Sequence, residues 1–189
     1  MIEVEIRGRL DDQKFERLTA LFKAEGELLE QQDREMILLS GYPGYSEDPI
    51  ARMVDIRLRN TNGFCEIMVK HKAADDNSAR HEVSLALKDT NLDTAKQVLK
   101  ALGFSGGLWM HRKKDIYRYK NIEWSLVDVP QGLRYFEAER EAANEESIPS
   151  VRTALAEEAQ SLGLEVLNSE QMKEFISMLD AKVNKDVEW

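Results

Sequence analysis

Ile2-Glu3-Val4-Glu5-Ile6-Arg7 alternates apolar and charged side chains without a miss. A period of two is that of a β-strand with one buried face. It assigns Ile2, Val4 and Ile6 to a core and Glu3, Glu5 and Arg7 to the opposite face. The same period returns in a hairpin pattern around Asn60-Thr61-Asn62-Gly63. Val54, Ile56 and Leu58 face away from Asp55, Arg57 and Arg59. On the return strand Cys65, Ile67 and Val69 face away from Glu66, Met68, Lys70 and Lys72. Further strands are expected over 35–40, 109–119 and 121–129, where Ile122, Trp124 and Leu126 alternate, and at Tyr135-Phe136-Glu137-Ala138-Glu139.

Between the strands, residues 11–26 read as an amphipathic helix. Asp11 or Asp12 caps it, Phe15, Leu18, Leu21 and Phe22 form its stripe, and Gly26 ends it. Residues 41–49 are a loop by their glycines and prolines, which lack the lysine and spacing of a phosphate loop. From Glu82 the opening repeats as strand, capped helix and closing glycine, with a stripe at Leu92, Ala95, Val98, Leu99 and Leu102; Ser84 stands where the first copy has Glu5. Two helices over 149–162 and 169–183, the second with Met172, Phe175, Ile176 and Leu179 as its apolar face, are expected to cover the sheet and to contribute nothing to a site.

At 189 residues the chain has the length of one domain, taken as 1–189 with 147–189 its helical end part, and its 42% hydrophobic and 32% charged residues make a folding composition. The absence of a long apolar run and of a signal-like start predicts a cytoplasmic protein with no membrane partner. One cysteine, Cys65, excludes an intramolecular disulfide and in its apolar register reads as a small core residue. The net charge of −9 argues against nucleic acid as a partner. It is unevenly spread: residues 1–136 hold 21 basic and 22 acidic side chains, and 137–189 hold 5 and 13, so the cations belong to the strand-rich part. His71, His81 and His111 have no Cys or His neighbour at zinc spacing and read as surface or hydrogen-bonded groups.

Two readings of the charged face are open. One is an antiparallel sheet with a solvated side. In the other the sheet curls so that this face lines a tunnel, with carboxylates for divalent cations and arginine forks for phosphate oxygens; buried ions cost several kcal/mol each unless paired, so such a lumen requires a highly charged occupant.

In order along the chain, Glu3-Val4-Glu5-Ile6-Arg7, Arg57-Leu58-Arg59, the strand ending at Lys70, Arg80-His81-Glu82-Val83, the basic cluster before Tyr117 and Phe136-Glu137-Ala138-Glu139 resemble the signature of the CYTH family, the triphosphate tunnel metalloenzymes. The resemblance implies an α+β fold: an antiparallel eight-stranded β-tunnel, or barrel, with helices packed outside. It implies Mg²⁺ or Mn²⁺ as cofactor and a small triphosphate as partner, with a homodimer left open. The implied activity is hydrolysis of inorganic, thiamine or nucleoside triphosphate. A class IV-type adenylyl cyclase is the enzyme alternative, and a catalytically weak phosphate or nucleotide binder is the alternative outside catalysis. Matching positions give Glu3, Glu5 and Arg7 a catalytic role. Arg7, Arg57, Arg59, Lys70, Arg112 and Lys114 become phosphate ligands, and Glu3, Glu5, Glu82, Glu137 and Glu139 become metal ligands. The chain departs from the pattern at Arg7, where a lysine is usual, at Ser84, where an acid is usual, and at Val127, where an aspartate is expected and Asp128 lies one step off the face.

Overall fold

A computed structural model describes residues 2–49, 51–73 and 79–189. The chain runs β1 (Ile2–Leu10), α1 (Asp12–Glu25), β2 (Glu27–Leu39), β3 (Val54–Thr61), β4 (Phe64–Lys72), β5 (Ala79–Leu87), α2 (Leu92–Ala101), β6 (Gly106–Tyr119), β7 (Ile122–Val129), β8 (Leu133–Ala142), α3 (Ile148–Ser161), α4 (Ser169–Lys182) and β9 (Lys185–Glu188). Eight strands close an antiparallel ring in the order β1-β5-β4-β3-β2-β6-β7-β8, and β9 pairs with the start of β6. The architecture is the α+β tunnel that the resemblance implies, so the charged faces turn inward.

The outer face carries the core. Ile2, Val4 and Ile6 are buried beside Leu18 and Phe22 of α1 and Leu155 and Ala159 of α3. Asp11 caps α1 by accepting from the Lys14 amide, and the Gly26 amide closes it on the Phe22 carbonyl. A second cluster packs Leu92, Ala95 and Leu99 of α2 over Ile37, Leu58 and Cys65, which places the cysteine in the core. Burial pushes the Cys65 thiol up, away from the reactive thiolate. The β3–β4 hairpin turns at Asn62 and Gly63, both at positive φ, as a tight turn between right-twisted strands requires.

Four details differ from the sequence reading. β2 begins eight residues before the expected strand, because its polar first half is held by pairing with β6 and not by burial of one face. The short β9 carries no periodic signal; its hold on β6 depends on Gly106, where a Cβ would meet the Val187 carbonyl. In α2 the stripe is narrower than expected, since Val98 and Leu102 are 56% and 71% exposed. Finally, α4 is not mere cover. Its Phe175 and Leu179 pack on Val127, Val129 and Tyr135, while Met172, Ile176 and Asp180 line the tunnel.

Gly8 explains how the segment joining α3 and α4 crosses β1. The Leu167 amide donates to the Arg7 carbonyl over 2.8 Å. A Cβ at residue 8 would lie 2.1 Å from the Glu165 carbonyl oxygen and 2.3 Å from the Phe136 ring. Neither neighbour is the flexible end of a long side chain. Gly8→Ala is therefore expected to cost about 2–3 kcal/mol. Thermal denaturation should show this as a fall of roughly 5–10 °C; an unchanged midpoint would mean that the segment shifts without cost.

Candidate functional site

The ring encloses a cavity of about 580 Å³. Its acid-rich wall comes from three neighbouring strands. Glu5 of β1 stands directly opposite Glu139 of β8, which stands opposite Glu123 of β7. Oxygens of Glu3, Glu5 and Glu139 lie within 4.8 Å of one another, close enough to share one cation. Burial, followed by the charges of Glu5, Glu3 and Glu137, raises the Glu139 pKa well above the usual carboxylate range. An oxygen-only, part-buried and self-repelling donor set fits a hard divalent cation such as Mg²⁺ or Mn²⁺.

Glu82 and Glu137 also line the cavity but stand outside that group of three. Lys70 bridges Glu82 and Glu3, at 3.1 Å from the latter. Glu137, only 3% exposed, is ion-paired to Lys114 and, over 3.0 Å, to Arg7. Burial opposes its charge, yet Lys114 and Arg7 outweigh burial and hold the carboxyl far below its usual range. Arg7 also pairs with Glu5, so it ties β1 to β8 between two carboxylates. Burial works against its charge, and Glu5 and Glu137 more than offset it, raising its pKa above the ordinary arginine value.

Cations line the same cavity. Arg57, Arg59, Lys70, Arg112 and Lys114 all line the cavity. Arg34 of β2, which no sequence motif marks, joins them as the cross-strand partner of Arg112. Its Nε donates to Thr61 Oγ1 over 3.1 Å. Burial and the neighbouring charges of Arg59 and Arg57 push its pKa down to about 10. Arg57 Nε is buried with no hydrogen-bond partner among the described residues. Arg57 also pairs with Asp55 and Arg59 with Glu66, so carboxylates already hold these guanidinium forks, whose geometry matches phosphate oxygens.

Arg57 is oriented by a hub that the sequence reading also passed over. Asp55, 4% exposed, accepts from Arg57 Nη2 at 2.8 Å, Arg80 Nη1 at 3.0 Å and Arg52 Nη1 at 3.4 Å. Burial opposes the Asp55 charge, and Arg57 and Arg80 nonetheless lower its pKa. Arg112 is held from α4's end: its Nη2 donates to Asn184 Oδ1 over 2.8 Å, and Asn184 donates to Asp180.

The departures from the family pattern resolve locally. The Ser84 hydroxyl donates to Glu66 of β4, whose other oxygen accepts from Arg59 Nε at 2.8 Å. Val127 shares the inward register of Glu123 and Ser125 and is covered by α4. Asp128 points the other way, 3.4 Å from Arg134. His111 is hydrogen-bonded to Asp33 at 2.6 Å. Among the described residues, no helix is long and apolar enough to cross a membrane.

No protein-family model matches the chain. The chain is 30% identical over 139 residues to a curated Methanocaldococcus jannaschii protein named "Putative adenylate cyclase", a match spanning 72% of this chain and 74% of that protein. Among solved structures, the PH1819 protein of Pyrococcus horikoshii superposes with a TM-score of 0.73 at 20% identity, covering 93% of this chain and 99% of that one. The Hippeastrum protein HpAC1, an adenylyl cyclase by name whose structure is described as revealing a dominant triphosphatase activity, superposes at 0.54 and 12% identity, covering 88% and 90%. These two structures share the fold, and the archaeal relative carries the likeness into sequence over most of both chains; this chain belongs to the CYTH family.

Proposed function

We propose that this protein is a divalent-metal-dependent triphosphate hydrolase. The observation that carries the reading is one lumen in which Glu3, Glu5 and Glu139 converge on one wall and Arg34, Arg57, Arg59 and Arg112 gather on another. Glu3, Glu5 and Glu139 would hold Mg²⁺ or Mn²⁺, which when bound supplies Lewis-acid polarisation of phosphoryl oxygens. The arginines, with Lys114, bind and orient the phosphates. Arg7 holds Glu5 and Glu137 in place and, as a guanidinium that stays protonated, does not act as a base. Lys70 is engaged by Glu3 and Glu82. Glu123, facing the cavity opposite Glu139, accepts the proton of a water that attacks the terminal phosphorus in line. The bridging P–O bond breaks, and phosphate and the shortened substrate leave.

The name of the archaeal relative favours a second reading, in which a ribose hydroxyl of ATP is the nucleophile and the products are cyclic AMP and pyrophosphate. The Hippeastrum protein's described activity supports the first. A screen of tripolyphosphate, thiamine triphosphate, ATP and GTP, with and without Mn²⁺, separates them. Phosphate release from at least one substrate, only with the cation, is expected. Cyclic nucleotide as the main product would give the cyclase reading, and tight binding without turnover would leave a binder.

A further inference from the structure

Arg112 is held differently from Arg57 and Arg59. It is 3% exposed, and the groups that accept from its guanidinium among the described residues are both neutral. They are the His111 carbonyl, from Nη1 over 2.7 Å, and Asn184 Oδ1, from Nη2 over 2.8 Å. Arg57 and Arg59 are instead paired with the carboxylates of Asp55 and Glu66. A neutral acceptor fixes the direction of a guanidinium without offsetting its charge, so Arg112 keeps that charge for a bound anion.

The chain around Asn184 explains why this acceptor is fixed. Asn184 lies between the end of α4 and the start of β9. Its backbone amide donates to the Leu179 carbonyl over 3.0 Å, and from Lys185 the chain pairs with Trp109 of β6, the strand that carries Arg112. A side-chain amide could face Arg112 with its oxygen or with its NH2 group. Asp180 selects the first. An ionised carboxylate only accepts, and Asn184 Nδ2 donates to Asp180 Oδ1 over 2.6 Å, which leaves Oδ1 of the amide for Arg112. Both Asp180 and Asn184 line the cavity, and no sequence motif marks either.

We infer that Asn184 and Asp180 are positioning residues for phosphate binding: Asn184 aims the Arg112 guanidinium, and Asp180 keeps the Asn184 amide turned towards it. The inference rests on the triphosphate reading above and adds the end of α4 to the parts that decide how tightly the anion is held. Tripolyphosphate, titrated by calorimetry without divalent cation, reports affinity while avoiding turnover. Asn184→Ala should weaken binding by about tenfold, the worth of one hydrogen bond to a charged group, and Asp180→Ala by roughly three- to tenfold. Melting curves check folding. Asp180 is only partly buried in a helix, where alanine is favoured, so its variant serves should Asn184→Ala fail to fold. In an Arg112→Met background either substitution should change the affinity by less than about twofold, because each acts through Arg112. Undiminished binding by either variant would overturn that residue's role. Equal losses with and without Arg112, or an Arg112→Met protein that binds as well as the unsubstituted one, would overturn both roles and leave the triphosphate site standing. Failure of the unsubstituted protein to bind tripolyphosphate would overturn that site as well.

Discussion

Glu139→Gln is expected to melt above the unsubstituted protein when no divalent cation is present, and below it in saturating Mn²⁺. Without a cation, three carboxylates whose oxygens lie within 4.8 Å of one another repel, and burial with that repulsion raises the Glu139 pKa. The amide removes one charge from the cluster and relieves the repulsion. With the cation present the sign reverses, since a ligand at about a hundred times its dissociation constant stabilises the folded state by about 2.7 kcal/mol, or roughly 5–10 °C for a chain of this length. The variant should lose most of that gain. Its turnover should fall by roughly 100-fold or more, because substitutions one shell further from a metal already cost about 10–100-fold. A variant that keeps the full Mn²⁺ shift in melting would show that the cation binds elsewhere.

Half of this arrangement is legible in the sequence, for a physical reason. β1, β3 and β4 each alternate apolar and charged side chains in sequence, so the alternation separates the outward from the inward set and yields Glu3, Glu5, Arg57, Arg59 and Lys70 directly. Arg34 escapes notice because β2 has no such alternation near it: Gln31, Gln32 and Asp33 precede it, and the strand exists by virtue of β6. Glu123 escapes because its partners Glu139 and Glu5 are assembled by pairing across two other strands. In α4 the periodicity marks an apolar face, but periodicity does not say what the face meets. Phe175 and Leu179 meet the core, and Met172 and Ile176 meet the cavity.

Most cations of the lumen are balanced by carboxylates. Arg7, Lys70 and Lys114 sit against carboxylates, as do Arg57 against Asp55 and Arg59 against Glu66, whereas Arg34 donates to a hydroxyl. Arg7, the residue least like its family counterpart, lies between two carboxylates. A guanidinium forks between Glu5 and Glu137 in a way that an ammonium, as a compact point charge, does not.

Asp55 is the counter-charge for three arginines at once. With Asp55→Asn, Arg52, Arg57 and Arg80 lose their shared carboxylate in a pocket where the side chains are only 6–20% exposed. Breaking a buried pair in this way costs about 3–5 kcal/mol, and the partial exposure of Arg57 and Arg80 argues for the low end, about 3 kcal/mol at pH 7. The pH dependence follows from the lowered Asp55 pKa. A depressed carboxylate contributes stability that is present above its unfolded value, near 3.8, and is lost as the pH falls through the folded value. Urea denaturation should therefore show a gap between the two proteins that is wide at pH 7 and narrows below pH 3.8. Tripolyphosphate should raise the melting temperature of the variant more than that of the unsubstituted protein, because the three released guanidinium groups then take phosphate oxygens as their acceptors. Equal responses to tripolyphosphate would mean that these arginines lie outside the anion's reach, and would confine phosphate binding to Arg34, Arg59, Arg112 and Lys114.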